Sequence, residues 1–373
     1  MYCKNLPCQK LNRRKTVWQT KSKNPKLDFR ILKEDIKLAD HPVSFWIKED
    51  RLMKGKGKEF TVILKTKGCS WALGQWGGCS MCSYVQDSYI REITPKNIIN
   101  QFEFALTKKL DEINNSTDNY VIKIFNSGSF LDDNEISNEV RKFIFNKVVD
   151  IPKITEIVIE SRVEYINEEK VKEIKDLSNG KYTEVAIGLE STDDHIRNNY
   201  VNKGLAFEAF LNAINLLKTY NLGIRVYLLL KPPFLNEQAA IDDCIKSIED
   251  LIDLKVNTIS INPVNIQKDS YVEYLWRQNR YKPPWYYSLF KVLREILKNY
   301  TNIESIRLIS DPSGAGTNRG IHNCLNKECN ALMQETLKNF VLTQDAKIIL
   351  NKENYTRCQC LTKYKLQKEH FLI

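Results

Sequence analysis

From residue 60 onward, short apolar runs alternate with longer stretches in which apolar residues recur every three or four positions. The short runs cover 60–66, 119–125, 155–161, 183–189, 223–230 and 257–262 and are rich in Val, Ile and Tyr. They read as mostly apolar on both faces, as strands of a helix-covered parallel sheet do. The longer stretches, 95–112, 134–148, 167–177, 206–220, 237–253 and 285–298, have the periodicity of amphipathic helices. Thr94 and Asn236 stand where N-caps are expected, and Pro95 suits a first helical turn. This alternation predicts an α/β fold, an incomplete parallel (β/α)6 barrel. Functional residues of such a barrel are expected just after each strand, at the C-terminal rim.

The alternation stops at both ends. Residues 1–55 mix basic residues with Trp18, Phe29, Phe45 and Trp46, and they read as an N-terminal extension. These aromatics either stack on bases or pack the segment onto the barrel. Lys54-Gly55-Lys56-Gly57-Lys58 reads as a flexible basic turn into the first strand. After about residue 310, Asp311-Pro312-Ser313-Gly314-Ala315-Gly316 is loop-like and a Cys-rich tail follows. The expected division is therefore 1–55, extension; 56–310, barrel; 311–373, Cys-rich module.

With 373 residues and 42% hydrophobic content, the chain can build a sizeable core. No apolar run approaches a membrane span, so no membrane partner is expected. Met1-Tyr2-Cys3-Lys4 opens no apolar signal region, so the expected location is the cytoplasm. In that compartment ten cysteines point to metal or redox chemistry rather than a disulfide framework. Cys3 and Cys8 are too few for a metal site by themselves and read as free thiols. The net charge is +10, and residues 1–40 carry 11 Lys and Arg against 4 Asp and Glu. Charge alone fits a polyanion such as RNA and a solvated terminus equally.

The stretch Gly68 to Asp87, GCSWALGQWGGCSMCSYVQD, places Cys69, Cys79 and Cys82 in one glycine-rich loop with the spacing C-x9-C-x2-C. Three thiolates can bind three irons of a [4Fe–4S] cluster and leave the fourth open to an amino acid's amine and carboxylate. Gly74, Gly77 and Gly78 would let the backbone wrap the cluster and offer it N–H groups. Spacing alone equally allows a zinc site completed from the tail, with Cys79, Cys82, Cys358 and Cys360 as ligands. Position at the mouth of the first barrel strand favours the cluster.

A second cysteine group, Cys324, Cys329, Cys358 and Cys360, forms C-x4-C and C-x-C pairs. It suits a closed tetrahedral zinc site, with His322 as a substitute ligand and a second iron–sulfur cluster as the rival. Nearby Lys327, Arg357, Lys363, Lys365 and Lys368 are candidates to guide an RNA backbone. The segment from Tyr281 to Tyr287 adds stacking candidates, which packing at a helix start explains as well.

The loop GCSWALGQWGGCSMCSYVQDS resembles that of radical SAM (S-adenosylmethionine) proteins related to the Elongator catalytic subunit. Within that branch the chain most resembles the radical SAM enzymes of archaeosine biosynthesis (RaSEA). The resemblance extends to Asn126-Ser127-Gly128-Ser129-Phe130-Leu131-Asp132, Glu160-Ser161-Arg162-Val163-Glu164-Tyr165 and Gly188-Leu189-Glu190-Ser191. It continues through Asn202-Lys203-Gly204, Asn262-Pro263-Val264-Asn265 and His322-Asn323-Cys324, covering roughly residues 55–360. The commonest radical SAM spacing has three residues between the first two cysteines. The nine found here match the Elongator-like branch.

The resemblance implies a [4Fe–4S] cluster on Cys69, Cys79 and Cys82, with SAM on its open iron and an external reductant. It implies that Ser127, Gly128 and Ser129 meet the SAM amine and that Met81 lies against adenine. Glu160, Ser161, Arg162 and Glu190 would meet the ribose hydroxyls and methionine carboxylate. The plainer reading of each is a polar residue satisfying strand-end backbone groups. Lys203, and Lys231 with the Lys-Pro-Pro-Phe run, fall on the same rim, as phosphate contacts or as solvated lysines. No catalytic residue is singled out. The implied activity is that of a lyase on tRNA, acting on a lysine adduct of 7-cyano-7-deazaguanine in the D-loop. Hydrogen would leave the lysine carbon bearing the bridging nitrogen, and cleavage of that carbon–nitrogen bond would leave archaeosine. A partner enzyme that attaches the lysine is implied with it. The alternatives are an Elongator-like radical SAM enzyme acting on another RNA base or a small molecule, and a non-catalytic zinc- and RNA-binding protein.

Overall fold

A computed structural model of the chain describes residues 39–88, 93–300, 306–350 and 358–370. Cys3, Cys8, Trp18, Phe29 and Arg357 lie outside the described residues. The strands are β1 (Ser44–Leu52), β2 (Gly55–Ile63), β3 (Tyr120–Phe125), β4 (Ile154–Glu160), β5 (Tyr182–Glu190), β6 (Gly223–Leu230), β7 (Thr258–Pro263) and β8 (Arg307–Ile309). They form one sheet in sequence order, with β1 antiparallel to β2 and every later pair parallel. The six expected strands are β2 to β7.

Strand β1 lies inside the stretch read as an extension. Leu52 pairs with Gly55, so Met53-Lys54 is a tight hairpin turn and Gly55 to Lys58 are strand. Phe45 meets the Phe104 ring at 5.9 Å, and the Trp46 indole donates to Glu59 at 2.7 Å, so both aromatics pack. At the far edge, Arg307 of β8 donates to the Arg51 carbonyl of β1 at 2.8 Å and pairs with Glu156 of β4 at 3.1 Å. The sheet is thus curled, and one side chain reaches between its end strands.

Helices cover the convex face: α1 (Pro95–Asn114), α2 (Asn138–Val149), α3 (Glu168–Leu177), α4 (Phe207–Thr219), α5 (Glu237–Asp253), and α7 (Tyr286–Asn299), which follows the short α6 (Tyr271–Arg277). Thr94 and Asn97 form a reciprocal capping box with Pro95 in the first turn, and Asn236 accepts from the Ala239 N–H at 2.8 Å. Phe60, Val62, Ile122, Ile124, Ile157, Ile159, Ile224 and Val226 are buried beneath these helices. Each such side chain stabilises the fold by about 1.5–3 kcal/mol.

The concave face differs from the apolar-on-both-faces expectation. Its apolar layer is thin: Leu52, Val121, Val158 and Ala186. The positions between are charged and matched in pairs. Lys123 bridges Asp50, at 2.8 Å, and Glu59. Glu184 accepts from Arg225 at 2.9 Å, Arg307 at 2.7 Å and Thr258 at 2.6 Å. Burial pushes the Glu184 carboxyl up, but Arg307 and Arg225 outweigh it and hold it at about 2. A lumen lined this way tolerates charge because each charge has a partner.

The chain beyond residue 310 is fastened to the sheet. Helix α8 (Lys327–Thr343) pairs Lys338 with Glu49 of β1 at 2.7 Å. Gln344 then pairs with both the N–H and the carbonyl of Leu308, at 2.9 and 3.0 Å, satisfying the free edge of β8. Among the described residues no helix is long and apolar enough to cross a membrane.

Candidate active site at the barrel mouth

After β2 the chain passes through Cys69, one helical turn at Ser70–Leu73, and the glycines at 74, 77 and 78, then returns with Cys79 and Cys82. Gly78 has φ 83°, and a Cβ there would lie 2.9 Å from the Ala72 Cβ, so the return leg requires glycine. The loop is stitched to the segment after β5. Asn202 donates to the carbonyls of Trp76, at 3.0 Å, and Gly78, at 2.7 Å. The Trp71 indole donates to the Asn202 carbonyl at 2.8 Å. Ser80 donates through its amide to Val201 and through its hydroxyl to Tyr200, both at 2.8 Å.

The three thiols lie close enough for Cys69 to bear on the charge of both Cys79 and Cys82. Burial raises the Cys79 thiol and pushes Cys82 up to about 12; the Cys69 thiol adds to both, and Cys79 adds to Cys82. A soft cationic cluster stabilises such thiols as thiolates. The loop after β3 backs onto this trio. A Cβ at Gly128 would lie 2.8 Å from the Cys69 Cα and 1.7 Å from a Glu135 oxygen. Glu135 is held by Thr66 at 2.7 Å, Asn126 at 2.9 Å and the Ser129 amide at 2.9 Å. The Ser127 hydroxyl is buried with no partner among the described residues. Leaving such a group unmatched costs about 1–3 kcal/mol, which an amine-bearing ligand would recover. Three soft thiols beside an orphaned hydroxyl fit an iron–sulfur cluster with an amino acid ligand.

The other expected residues converge on the same rim with partners already in place. The Ser129 hydroxyl accepts from the Arg162 amide at 3.1 Å. The Ser161 amide donates to the Ala186 carbonyl at 3.0 Å. Arg162 pairs with Glu164, donates to the Lys203 carbonyl at 3.1 Å and lies 5.2 Å over the Trp71 ring. Glu160 ends β4. Burial pushes its carboxyl up to about 7, while a hydrogen bond from Tyr227 pulls the other way. Glu190 ends β5 at a register shift with φ 71°, a strained conformation for a non-glycine residue. Met81 is half-buried against an apolar group that includes Val201, Leu229 and Val264.

Of the two lysines with solvated alternatives, Lys231 is buried and Lys203 half-buried, and both are paired. Lys203 pairs with Glu190 at 2.7 Å, and a Cβ at Gly188 would lie 2.6 Å from its ammonium. Lys231 pairs with Glu237 at 2.5 Å. Trp71 and Tyr227 escaped the sequence reading. Trp71 rests on Gly204, whose Cβ would lie 2.3 Å from the ring, so Asn202-Lys203-Gly204 already held the clue. Tyr227 sits among leucines of an apolar strand, which gave no signal.

In the tail, ligand atoms of Cys324, Cys329, Cys358 and Cys360 lie within 4.8 Å of one another. Cys324 to Cys358 and Cys329 to Cys360 are each 3.7 Å. Four thiolates about 2.3 Å from a central metal would stand about 3.8 Å apart, so the set fits a tetrahedral ion. The mixed set of Cys79, Cys82, Cys358 and Cys360 is not formed among the described residues. His322 stands outside the tetrad, with Nδ1 against the Gly320 carbonyl at 2.8 Å. Tyr281, Trp285, Tyr286 and Tyr287 are buried, as packing at a helix start requires. Lys327, Lys363 and Lys365 are exposed, and Lys368 is half-buried.

Residues 63–244 match the family model described as the Radical SAM superfamily. The chain is 37% identical to the archaeosine synthase subunit beta of Methanosarcina acetivorans, over 89% of this chain and 92% of that one. It is 36% identical to the protein of the same name from Thermococcus kodakarensis, over 83% and 92%. In fold it is similar to an N-terminally truncated Elp3 from Methanocaldococcus infernus. The TM-score there is 0.50, at 16% identity, covering 67% of this chain and 60% of that one.

Proposed function

The chain belongs to the radical SAM superfamily and, within it, to the family of the archaeosine synthase beta subunits, and on that premise we propose that it completes archaeosine in tRNA. A bound [4Fe–4S] cluster and SAM supply the one-electron chemistry. Cys69, Cys79 and Cys82 hold the cluster. The Ser127 hydroxyl accepts from the SAM ammonium, with Gly128 keeping the backbone close and Ser129 and Ser161 fixing the adjoining loops. Arg162 meets the carboxylate, Glu160 and Glu190 face the ribose hydroxyls, and Met81 backs the adenine. Lys203 orients Glu190 and offsets its charge.

The substrate is a tRNA carrying the lysine adduct of 7-cyano-7-deazaguanine. The lysine side-chain carbon would give up a hydrogen to the SAM-derived deoxyadenosyl group and lose its bond to the bridging nitrogen, the lysine-derived fragment leaving and the nitrogen staying on the base as the amidine of archaeosine. A partner subunit attaches the lysine, and an external reductant feeds the cluster. The tail tetrad holds zinc as a structural ion.

The observation that carries this reading is the 37% identity to an archaeosine synthase beta subunit across 92% of that relative. The test is anaerobic incubation of the reconstituted protein with SAM, reductant and lysine-adducted tRNA. Archaeosine should appear together with 5′-deoxyadenosine. SAM cleavage without archaeosine would indicate another substrate. Uptake of zinc without iron, and no SAM cleavage, would contradict an enzyme.

A further inference from the structure

A row of aromatic rings leads away from the cysteine loop. Tyr200 and Phe234 have ring centres 5.5 Å apart, Phe234 and Tyr271 6.2 Å, and Tyr271 and Tyr274 5.9 Å. Phe234, Tyr271 and Tyr274 are 41%, 45% and 46% exposed, so three consecutive members of the row offer ring surface to an outside partner. The row starts at the cluster loop. Ser80, between Cys79 and Cys82, donates its hydroxyl to the Tyr200 carbonyl at 2.8 Å and accepts from the Val272 amide at 3.1 Å.

The fold holds these rings in place at some cost. Tyr271 and Tyr274 stand three residues apart on α6, so they share a face and stack at 23°. Phe234 is presented by the turn 231–234, in which Lys231 and Phe234 both have left-handed backbones, φ 65° and 71°. Bulky residues adopt that conformation only when their surroundings impose it. Here Tyr281 donates to the Lys231 carbonyl at 2.6 Å, and the Lys231 ammonium is locked to Glu237.

Cations flank the row. Phe234 also lines a cavity of about 330 Å³ shared with Glu237, Arg280, Lys282, Trp285 and His370. The exposed Arg280 guanidinium has no partner among the described residues. The Lys282 ammonium lies 3.4 Å from the centre of the Trp285 ring. Glu237 is already matched by Lys231, so the wall keeps a positive excess. Exposed rings beside the unpartnered Arg280, with Lys282 held over Trp285, are the surface that single-stranded nucleic acid recognises: rings take bases, cations take phosphates.

Building on the tRNA reading above, we propose that Tyr200, Phe234, Tyr271 and Tyr274, with Arg280 and Lys282 alongside, form a stacking track that guides unpaired tRNA nucleotides to the cysteine loop. The test uses full-length, cluster-loaded protein and a fluorescent tRNA transcript, with binding read by anisotropy at fixed salt. The double variant Phe234→Ala, Tyr271→Ala should bind at least about tenfold more weakly, since two stacking platforms are lost. Phe234→Tyr with Tyr271→Phe should bind as the wild type does. An unstructured RNA oligonucleotide should compete, and a blunt duplex of equal charge should not. Iron content and thermal midpoint establish that each variant is folded. A folded alanine variant that binds tRNA within about twofold of wild type overturns the track. So does a variant that keeps tRNA but loses its partner subunit, which would make the row a protein interface. Wild-type protein that binds no tRNA overturns both the track and the function proposed above.

Discussion

Gly128 backs directly onto Cys69: a methyl group there would come within 2.8 Å of the Cys69 Cα. It would also strike Glu135, which three hydrogen bonds hold in place. Neither neighbour yields cheaply, so Gly128→Ala must shift the backbone that carries the first cysteine. Overpacking of this kind costs about 1–3 kcal/mol. Iron bound after reconstitution should fall several-fold while any metal held by the tail tetrad is unchanged, as metal analysis would read.

Ser127→Ala separates binding from folding. The buried hydroxyl has no partner among the described residues. Removing it should leave the ligand-free protein as stable as before, or slightly more so. If the hydroxyl serves the SAM ammonium, the dissociation constant for SAM should rise about tenfold or more, the usual worth of a hydrogen bond to a charged group. Calorimetry on anaerobic protein reads this directly, and an unchanged constant contradicts the assignment.

Glu160 ties stability to pH. Burial pushes its carboxyl from 4.5 up to about 7, so the folded state keeps a proton that the unfolded chain releases. Its contribution is full below about 4.5 and is lost as pH rises towards 7. Glu160→Gln should therefore raise the thermal midpoint of the ligand-free protein at pH 8 and change it little at pH 5. Equal shifts at both values would contradict this.

The tail tetrad predicts a different phenotype. Cys329→Ser should lose about one zinc per chain and lower the thermal midpoint by several degrees, because structural metal binding is folding free energy. Iron content should be retained. Parallel iron and zinc analyses check both halves of the prediction.

The sheet was legible because β2 to β7 are separated by long amphipathic helices, and that spacing allows few architectures. Strand β1 was hidden because its polar positions, Lys48, Glu49 and Asp50, fall together and read as part of a basic extension. Strand β8 has three residues, too short for any period to register. The charged lumen was missed because Glu184, Arg225 and Arg307 find one another only after the sheet curls. Cys69, Cys79 and Cys82 stood out by residue type and by their place after the first barrel strand, since their spacing alone equally allowed zinc. Lys203 and Lys231 did not, since a lysine's burial depends on the distant carboxylate that meets it.

The most direct test of a trio that leaves one iron open to SAM is the electron paramagnetic resonance spectrum of the reduced cluster in anaerobically reconstituted protein. Adding SAM should shift the g values of the [4Fe–4S] signal, and alanine at Cys69, Cys79 or Cys82 should abolish that signal. An intact cluster whose spectrum is indifferent to SAM would contradict it.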